Sequence, residues 1–315
     1  MRSDKILAFV LIIICLVAAL GNWLGGNTPR DEMASDRSTA ATGANVALLE
    51  IYGTISDQPT RFFGTSGNSN SNALIKSIRQ ARKDSVKAIL LHINSPGGTA
   101  AASQAVYNEL MRVRKETDIK IVADMGDVTA SGGYYIASAA HHIVANPATI
   151  TGSIGVIVQT QNFSPLLDKV GVEFNNVKSG QYKDILSPFR DTSDTERTII
   201  QQIVTQSYQQ FLNAIVAGRG ITLANLKPLA DGRIFTGEQA QRLKLVDSLG
   251  NYHDALMKTA ELANIQGEPS VRNYSYGSWQ NPFDIFLSSS IERFIPGYQQ
   301  FQQVSWDKIP LALWQ

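Results

Sequence analysis

The sequence predicts an α/β protein in which a parallel sheet carries helices on its outside. Three observations carry that expectation. Apolar strand-like runs recur at residues 46–52, 87–93 and 120–124, helical periodicity fills the intervals between them, and glycine-rich turns close strands directly onto helices.

The chain begins with Arg2 and Lys5, followed by an uncharged apolar run over residues 6–21 that Asn22, Trp23 and Leu24 prolong. At ~1.5 Å per residue the prolonged run reaches roughly 28 Å, close to the hydrocarbon thickness of a bilayer. Residues 6–25 are therefore assigned as a retained transmembrane anchor. The cationic flank places residues 1–5 in the cytoplasm and the bulk of the chain outside it. A cleaved secretory signal is the rival assignment, since Ala19 and Gly21 are small residues at cleavage-like spacing, but the apolar run exceeds a usual signal core. The one cysteine, Cys15, follows three isoleucines and is an apolar helix residue. It excludes an intrachain disulfide and a cysteine-built zinc site. Residues 26–44 are rich in Gly, Ser, Thr and Ala without apolar periodicity, and are expected to be a flexible tether.

A folded domain is expected over residues 45–262. Its first strand covers 46–52, a helix follows over 72–83 on the spacing of Leu74, Ile75, Ile78 and Ala81, and a second strand covers 87–93. Asn94-Ser95-Pro96-Gly97-Gly98-Thr99 then turns into a helix over 100–115, and a third strand follows at 120–124. Residues 132–140 are expected to be helical, and 154–159 and 172–177 to be short strands. Ser193-Asp194-Thr195-Glu196 is a capping box opening a long helix whose apolar stripe runs from Ile199 to Val216 and which Gly218 or Gly220 ends. Residues 263–315 lose the periodicity, become aromatic and polar, and are expected to form a tail.

With 28 basic and 27 acidic residues the net charge is +1, and no basic run tracks a phosphate backbone, so nucleic acid is not an expected partner. Chemistry concentrates at two places. Ser131 stands in Thr129-Ala130-Ser131-Gly132-Gly133-Tyr134-Tyr135, and Lys183 in Ser179-Gly180-Gln181-Tyr182-Lys183-Asp184. A serine hydroxyl needs a base to become a nucleophile, and lysine serves only when uncharged. At an ordinary pKa of ~10.4, about one lysine in a thousand is neutral near pH 7.4, so burial has to supply the shift. Lys183, flanked by Tyr182, Ile185 and Leu186, is expected to be buried against a sheet edge. Ser153 in Thr151-Gly152-Ser153-Ile154-Gly155 is the hydroxyl expected to orient the amine. Backbone N–H groups of Gly98, at a strand-to-helix turn, and of Gly132, after the serine, are the expected oxyanion donors.

Ser-Pro-Gly-Gly, Thr-Ala-Ser-Gly-Gly-Tyr-Tyr-Ile, Thr-Gly-Ser-Ile-Gly-Val-Ile, Lys-Ser-Gly-Gln-Tyr-Lys-Asp-Ile and Ala-Asp-Gly-Arg-Ile-Phe-Thr-Gly resemble, in order and spacing, the single-copy bacterial signal peptide peptidase A family. The resemblance covers roughly residues 45–260. It implies the Clp protease/crotonase-like fold of repeated β-β-α units, with an anchored domain outside the cytoplasmic membrane. It also implies a ring- or dome-shaped homo-oligomer, an octamer among the forms suspected, with dyads assembled between neighbouring protomers. Substrates would be signal peptides left in the membrane. Ser131 would be the nucleophile, Lys183 the general base, Gly98 an oxyanion donor and Ser153 the lysine-orienting hydroxyl, with no cofactor and no metal.

Three other classes fit the sequence less well. A Ser-His-Asp protease wants a histidine well past the serine, whereas His141 and His142 follow close to it and His92 and His253 lie elsewhere. A crotonase-like acyl-CoA hydratase or isomerase would need carboxylates as acid and base, and residues 126–160 hold no Glu and only Asp127. A catalytically silent membrane scaffold would leave Ser131, Lys183 and Ser153 together as coincidence. The terminal Pro310-Leu311-Ala312-Leu313-Trp314 resembles a segment that an apolar peptide groove could hold, although packing at a membrane or subunit surface explains it more simply.

Overall fold

The computed structural model describes residues 44–58 and 69–275. The assigned anchor, nearly all of the tether, and the tail beyond 275 lie outside the described residues. Among the described residues no helix is long and apolar enough to cross a membrane.

Among the described residues the core is a nine-stranded mixed sheet. Strands β1 (Val46–Ser56), β3 (Ala88–Gly98) and β4 (Lys120–Ala130) form its parallel centre. Short β2 (Ser69–Asn70), β5 (His142–Ala145), β6 (Ile150–Gly152), β8 (Ser248–Leu249) and β9 (Val271–Asn273) join in parallel, and β7 (Ile234–Thr236) pairs antiparallel with β6. Helices α1 (Ser71–Lys83), α2 (Ala100–Glu116), α3 (Gly132–Ala137) and α5 (Asp194–Arg219) contribute to one face; α8 (Tyr252–Leu262) lies on the other. The remaining helices are α4 (Ser164–Val170), α6 (Leu223–Leu226) and α7 (Gly237–Arg242).

Alternation along the central strands explains the two layers. Leu49, Ile51, Ile89, Leu91, Ile93, Ile121 and Ala123 point into the core beneath α1, α2 and α3, while Val46, Leu90, Val122 and Val144 point to Ala255, Ala260 and Ile265 at α8. Strands covered on both faces are continuously apolar, as these runs are.

All three central strands run longer than the apolar runs foretell, and the pairing of each is interrupted. The β1·β3 register shifts between Tyr52 and Thr54, the β3·β4 register shifts between Ile93 and Ser95, and β4 changes partner from β5 at Val122–Met125 to β6 at Val128–Ala130. Each long strand thus has two segments, and β3 and β4 then pass directly into a helix. The second segments of β3 and β4 end at the Gly97-Gly98 turn and at Ser131.

Several expected elements differ. Residues 154–159 and 172–177 are not strands: they have no ladder partner, and Ile157, Val158, Val172, Phe174 and Val177 are exposed. The α3 helix stops at Ala137 rather than 140, because Ala139 and Ala140 turn back in tight three-residue bonds to Ile136 and Ala137 and Ser138 Oγ donates to the Tyr135 carbonyl at 2.6 Å. Residues 263–275 are not part of a loose tail. β9 pairs with β1 at Val46–Leu48, Tyr274 is buried, and its hydroxyl donates to Asp84 at 2.7 Å.

Candidate active site

Three strand ends meet at Ser131. The residue leaves β4 with φ 51° and ψ −119°, a left-handed conformation that is uncommon for a side chain bearing Cβ. Its N–H donates to the Gly152 carbonyl at 2.9 Å and its carbonyl accepts from Tyr135 at 2.8 Å, so both neighbours hold the turn. A sharp turn of this kind lifts a hydroxyl off the end of a strand, and strain of this order persists only where the surroundings enforce it.

The Gly97-Gly98 turn at the end of β3 presses on this serine. Gly97 has φ +112°, and a Cβ there would stand 2.8 Å from both Ser131 Cβ and the Gly132 nitrogen and 3.1 Å from Ser131 Oγ. A Cβ on Gly132 would lie 3.1 Å from the Gly98 nitrogen and would collide with Ser103 Oγ; one on Gly98 would collide with the Ile55 carbonyl. Glycine is required at these positions because backbone lies where side chains would be. Buried Ser95 fixes the turn from below: its Oγ donates to the Gly53 carbonyl at 2.5 Å and accepts the Gly97 N–H at 3.0 Å. Thr99 then caps α2, its hydroxyl accepting from Ala102 at 3.4 Å.

Ser153 stands beside Ser131. Ala130 pairs with Gly152 across β4 and β6, so the two serines follow at equivalent places on adjacent strands, both at φ 51°. Adjacent strands lie about 4.8 Å apart, which sets the scale of their separation. The Ser153 N–H donates to the Arg233 carbonyl at 2.8 Å, and Phe235 of β7 lies where a Cβ on Gly152 would project. The Asp231-Gly232-Arg233 turn and β7 thus buttress Ser153, which explains the Ala-Asp-Gly-Arg-Ile-Phe-Thr-Gly segment. Buried threonines stitch the strands together, with Thr129 Oγ1 donating to Ile93 O and Thr151 Oγ1 to Thr129 O, each at 2.6 Å.

The structure therefore brings Ser131, Gly132, Gly98 and Ser153 together. Lys183 lies in a turn where its N–H donates to Gly180 at 3.1 Å, and it is exposed rather than buried against a sheet edge. The side-chain hydrogen bonds of residues 162–191 close within that segment and on the first turn of α5. Phe174 and Phe189 stack within it at 4.2 Å.

Three of the four histidines serve the scaffold. His92 Nδ1 lies 2.6 Å from the buried Asp124 carboxylate, which raises its pKa, and edge-on Tyr52 and Tyr252 flank the ring. Burial, with Arg114 and Lys120 nearby, lowers His141 to about 4, and its Nδ1 accepts from the Ile121 N–H at 3.0 Å. His142 bonds Ser248 at 2.9 Å. Among the described residues no group of three His, Cys, Asp or Glu side chains is placed to hold a metal ion.

Gly97, Ser95 and Ser103 leave no signal in the sequence, because small residues in a turn carry no sign of what they touch. Arg190 leaves none either, since its partners lie six residues away on either side.

Known proteins give this arrangement a family. The sequence profile of peptidase family S49 matches residues 113–266, and that of Clp protease matches residues 45–150. A Synechocystis sp. protein named as a protease is 43% identical over 225 residues, covering 71% of this chain and 76% of that protein. A protein of Enterococcus faecium named as signal peptide peptidase SppA is 33% identical over 270 residues, covering 85% of this chain and 76% of the other. Protease 4 of Salmonella typhi is 34% identical over 269 residues, 82% of this chain but 43% of that longer protein.

Proposed function

We propose, from the premise that this chain belongs to peptidase family S49 and is a serine protease, that Ser131 is its nucleophile and Lys183 of a neighbouring copy its general base. The observation that carries the reading is the conformation of Ser131: φ 51° at the end of β4, with Gly97 against its side chain and Ser153 beside it. Membership of a protease family argues against the hydratase and silent-scaffold alternatives.

Neutral Lys183 Nζ takes the Ser131 hydroxyl proton as Oγ attacks the peptide carbonyl. The N–H groups of Gly98 and Gly132 hold the oxyanion that forms. Collapse of this intermediate breaks the C–N bond, and the Lys183 ammonium returns its proton to the leaving amine. Water then attacks the acyl-enzyme, Lys183 accepts the water proton, the ester C–O bond breaks, and Ser131 Oγ recovers its proton. Ser153 orients the amine from the adjacent strand. The exposed setting of Lys183 in one chain, and the exposed Ile157, Val172 and Phe174 on the same segment, favour a base that reaches its serine across a contact between copies. Burial in that contact supplies the desolvation that an uncharged lysine needs.

The function that follows is that of a signal peptide peptidase acting on extended apolar peptides. It works as a homo-oligomer, anchored by residues 6–25 with the catalytic domain outside the cytoplasmic membrane. Labelling with a fluorophosphonate followed by peptide mapping tests the assignment. Modification on Ser131, absent in Ser131→Ala and slowed about 10²-fold or more in Lys183→Ala, is expected. A label on another serine, or one acquired at the normal rate by Lys183→Ala, would remove the dyad.

A further inference from the structure

The residue after the proposed base is a carboxylate, and a carboxylate near a lysine favours the charged ammonium. Asp184 is held away from that role by bonds on both oxygens. Arg190 Nε donates to its Oδ2 at 3.0 Å and Arg190 Nη2 to its Oδ1 at 2.7 Å, a bidentate clasp, while the same Nη2 reaches the Asp184 main-chain carbonyl at 3.1 Å. Lys178 Nζ adds a bond to Oδ1 at 2.6 Å.

The guanidinium is anchored in turn. Arg190 Nη1 and Nη2 donate to Glu196 at 2.9 and 2.5 Å, and Glu196 is buried in the first turn of α5, where it also accepts the Ser193 N–H at 2.9 Å. Arg190 is thus a bolt from the end of the longest helix to the turn that carries Lys183. Close by in the chain are Asp191, whose carboxylate accepts from Asn162 at 2.7 Å, and Asp194 and Arg197, both exposed at the start of α5. Within the bonded group, the two cations Lys178 and Arg190 balance the two carboxylates Asp184 and Glu196. Arg190, followed by Lys178, holds the Asp184 carboxyl well below its ordinary range; Arg190 and the Ser193 N–H bring Glu196 to about 2.

We propose that Arg190 is a positioning residue for the base: it withholds the Asp184 carboxylate from Lys183 and fixes the turn from which Lys183 projects. The proposal rests on the dyad assigned above. Its consequence is specific to protonation. Releasing Asp184 offers the ammonium a counter-ion, and more base is lost to protonation at any given pH.

The test is the pH profile of kcat/KM for the full chain, comparing wild type, Arg190→Gln, Arg190→Gln with Asp184→Asn, and Lys183→Ala. Arg190→Gln is expected to move the acidic limb upward by about one pH unit, roughly a tenfold loss on that limb, with recovery at high pH. The double variant, with no carboxylate to release, is expected to return the limb toward its wild-type position. A limb that stays in place while the plateau falls, or a double variant displaced as far as the single, would overturn the proposal and leave Arg190 a fold-supporting residue. Lys178→Ala loosens Asp184 without touching α5 and shifts the limb the same way by less; should Arg190→Gln not fold, an unmoved limb in Lys178→Ala counts against the proposal. Wild-type rates in Lys183→Ala would instead refute the dyad itself, a result distinct from an inactive Lys183→Ala beside an unmoved Arg190→Gln limb.

Discussion

Replacing Gly97 by alanine places one methyl group between the Gly97-Gly98 turn and Ser131, the proposed nucleophile. The new Cβ would stand 2.8 Å from Ser131 Cβ and 2.8 Å from the Gly132 nitrogen. Carbon atoms settle at about 3.5–4.0 Å, so either Ser131 or the turn has to retreat by roughly 0.7 Å. Ser131 has little room to give, since its own backbone is already left-handed and bonded at both ends. At φ +112° the alanine also carries backbone strain, on the order of 1–3 kcal/mol. A displacement approaching 1 Å at a reacting atom costs about 10²-fold in rate, so kcat/KM is expected to fall by about that factor. The unfolding midpoint is expected to fall by on the order of 5 °C, at about 2–4 °C per kcal/mol for a domain of this size. Peptide hydrolysis, fluorophosphonate labelling and thermal unfolding measured on one preparation separate the two effects. Gly267→Ala is the control: it has φ +76° but nothing within 4 Å of the added Cβ, so it loses stability without losing rate. Undiminished hydrolysis and labelling in Gly97→Ala would show that this turn does not abut the working serine.

If Ser153 orients the amine as proposed, Ser153→Ala lowers kcat/KM by about tenfold through loss of that one hydrogen bond, measured with Ser131 labelling as the count of intact sites. Asp124 raises the pKa of His92, so the pair stabilises the fold fully below the ordinary histidine pKa, and that contribution is lost as pH rises through the higher folded value. Urea unfolding on either side of that window is expected to show the pH-dependent component in wild type and its loss in Asp124→Asn; an identical slope in both would refute the pairing. Tyr134→Phe removes the buried hydroxyl that donates to Leu245 O at 2.9 Å and is expected to cost about 1–3 kcal/mol, read as a lower denaturant midpoint.

The sheet was legible because its central strands are apolar on both faces, so the runs at 46–52, 87–93 and 120–124 announce themselves without knowledge of their partners. The helix over residues 194–219 was legible for a different reason: Ser193 and Glu196 form the reciprocal cap that their spacing implies. Residues 154–159 and 172–177 misled because β-branched and aromatic residues favour any half-buried extended surface, and whether a neighbouring strand exists is not a local property. For the same reason Ile185 and Leu186 could not report on the burial of Lys183. Ser131, Gly98 and Ser153 were nameable from residue type, but their meeting depends on the Ala130–Gly152 register, which only the assembled sheet sets. The Arg190 clasp and the His92–Asp124 pair are side-chain meetings across a turn and across strands, and composition leaves no trace of either.

Mixing two inactive proteins tests the shared dyad most directly. Ser131→Ala retains Lys183, and Lys183→Ala retains Ser131; co-assembled at equal amounts in a ring, they rebuild the full pair at about a quarter of the sites. Peptide hydrolysis near that fraction of wild type, absent from either protein alone, is the predicted result. Silence at every mixing ratio, with both proteins folded and co-assembled, would contradict a base delivered from one copy to the serine of the next.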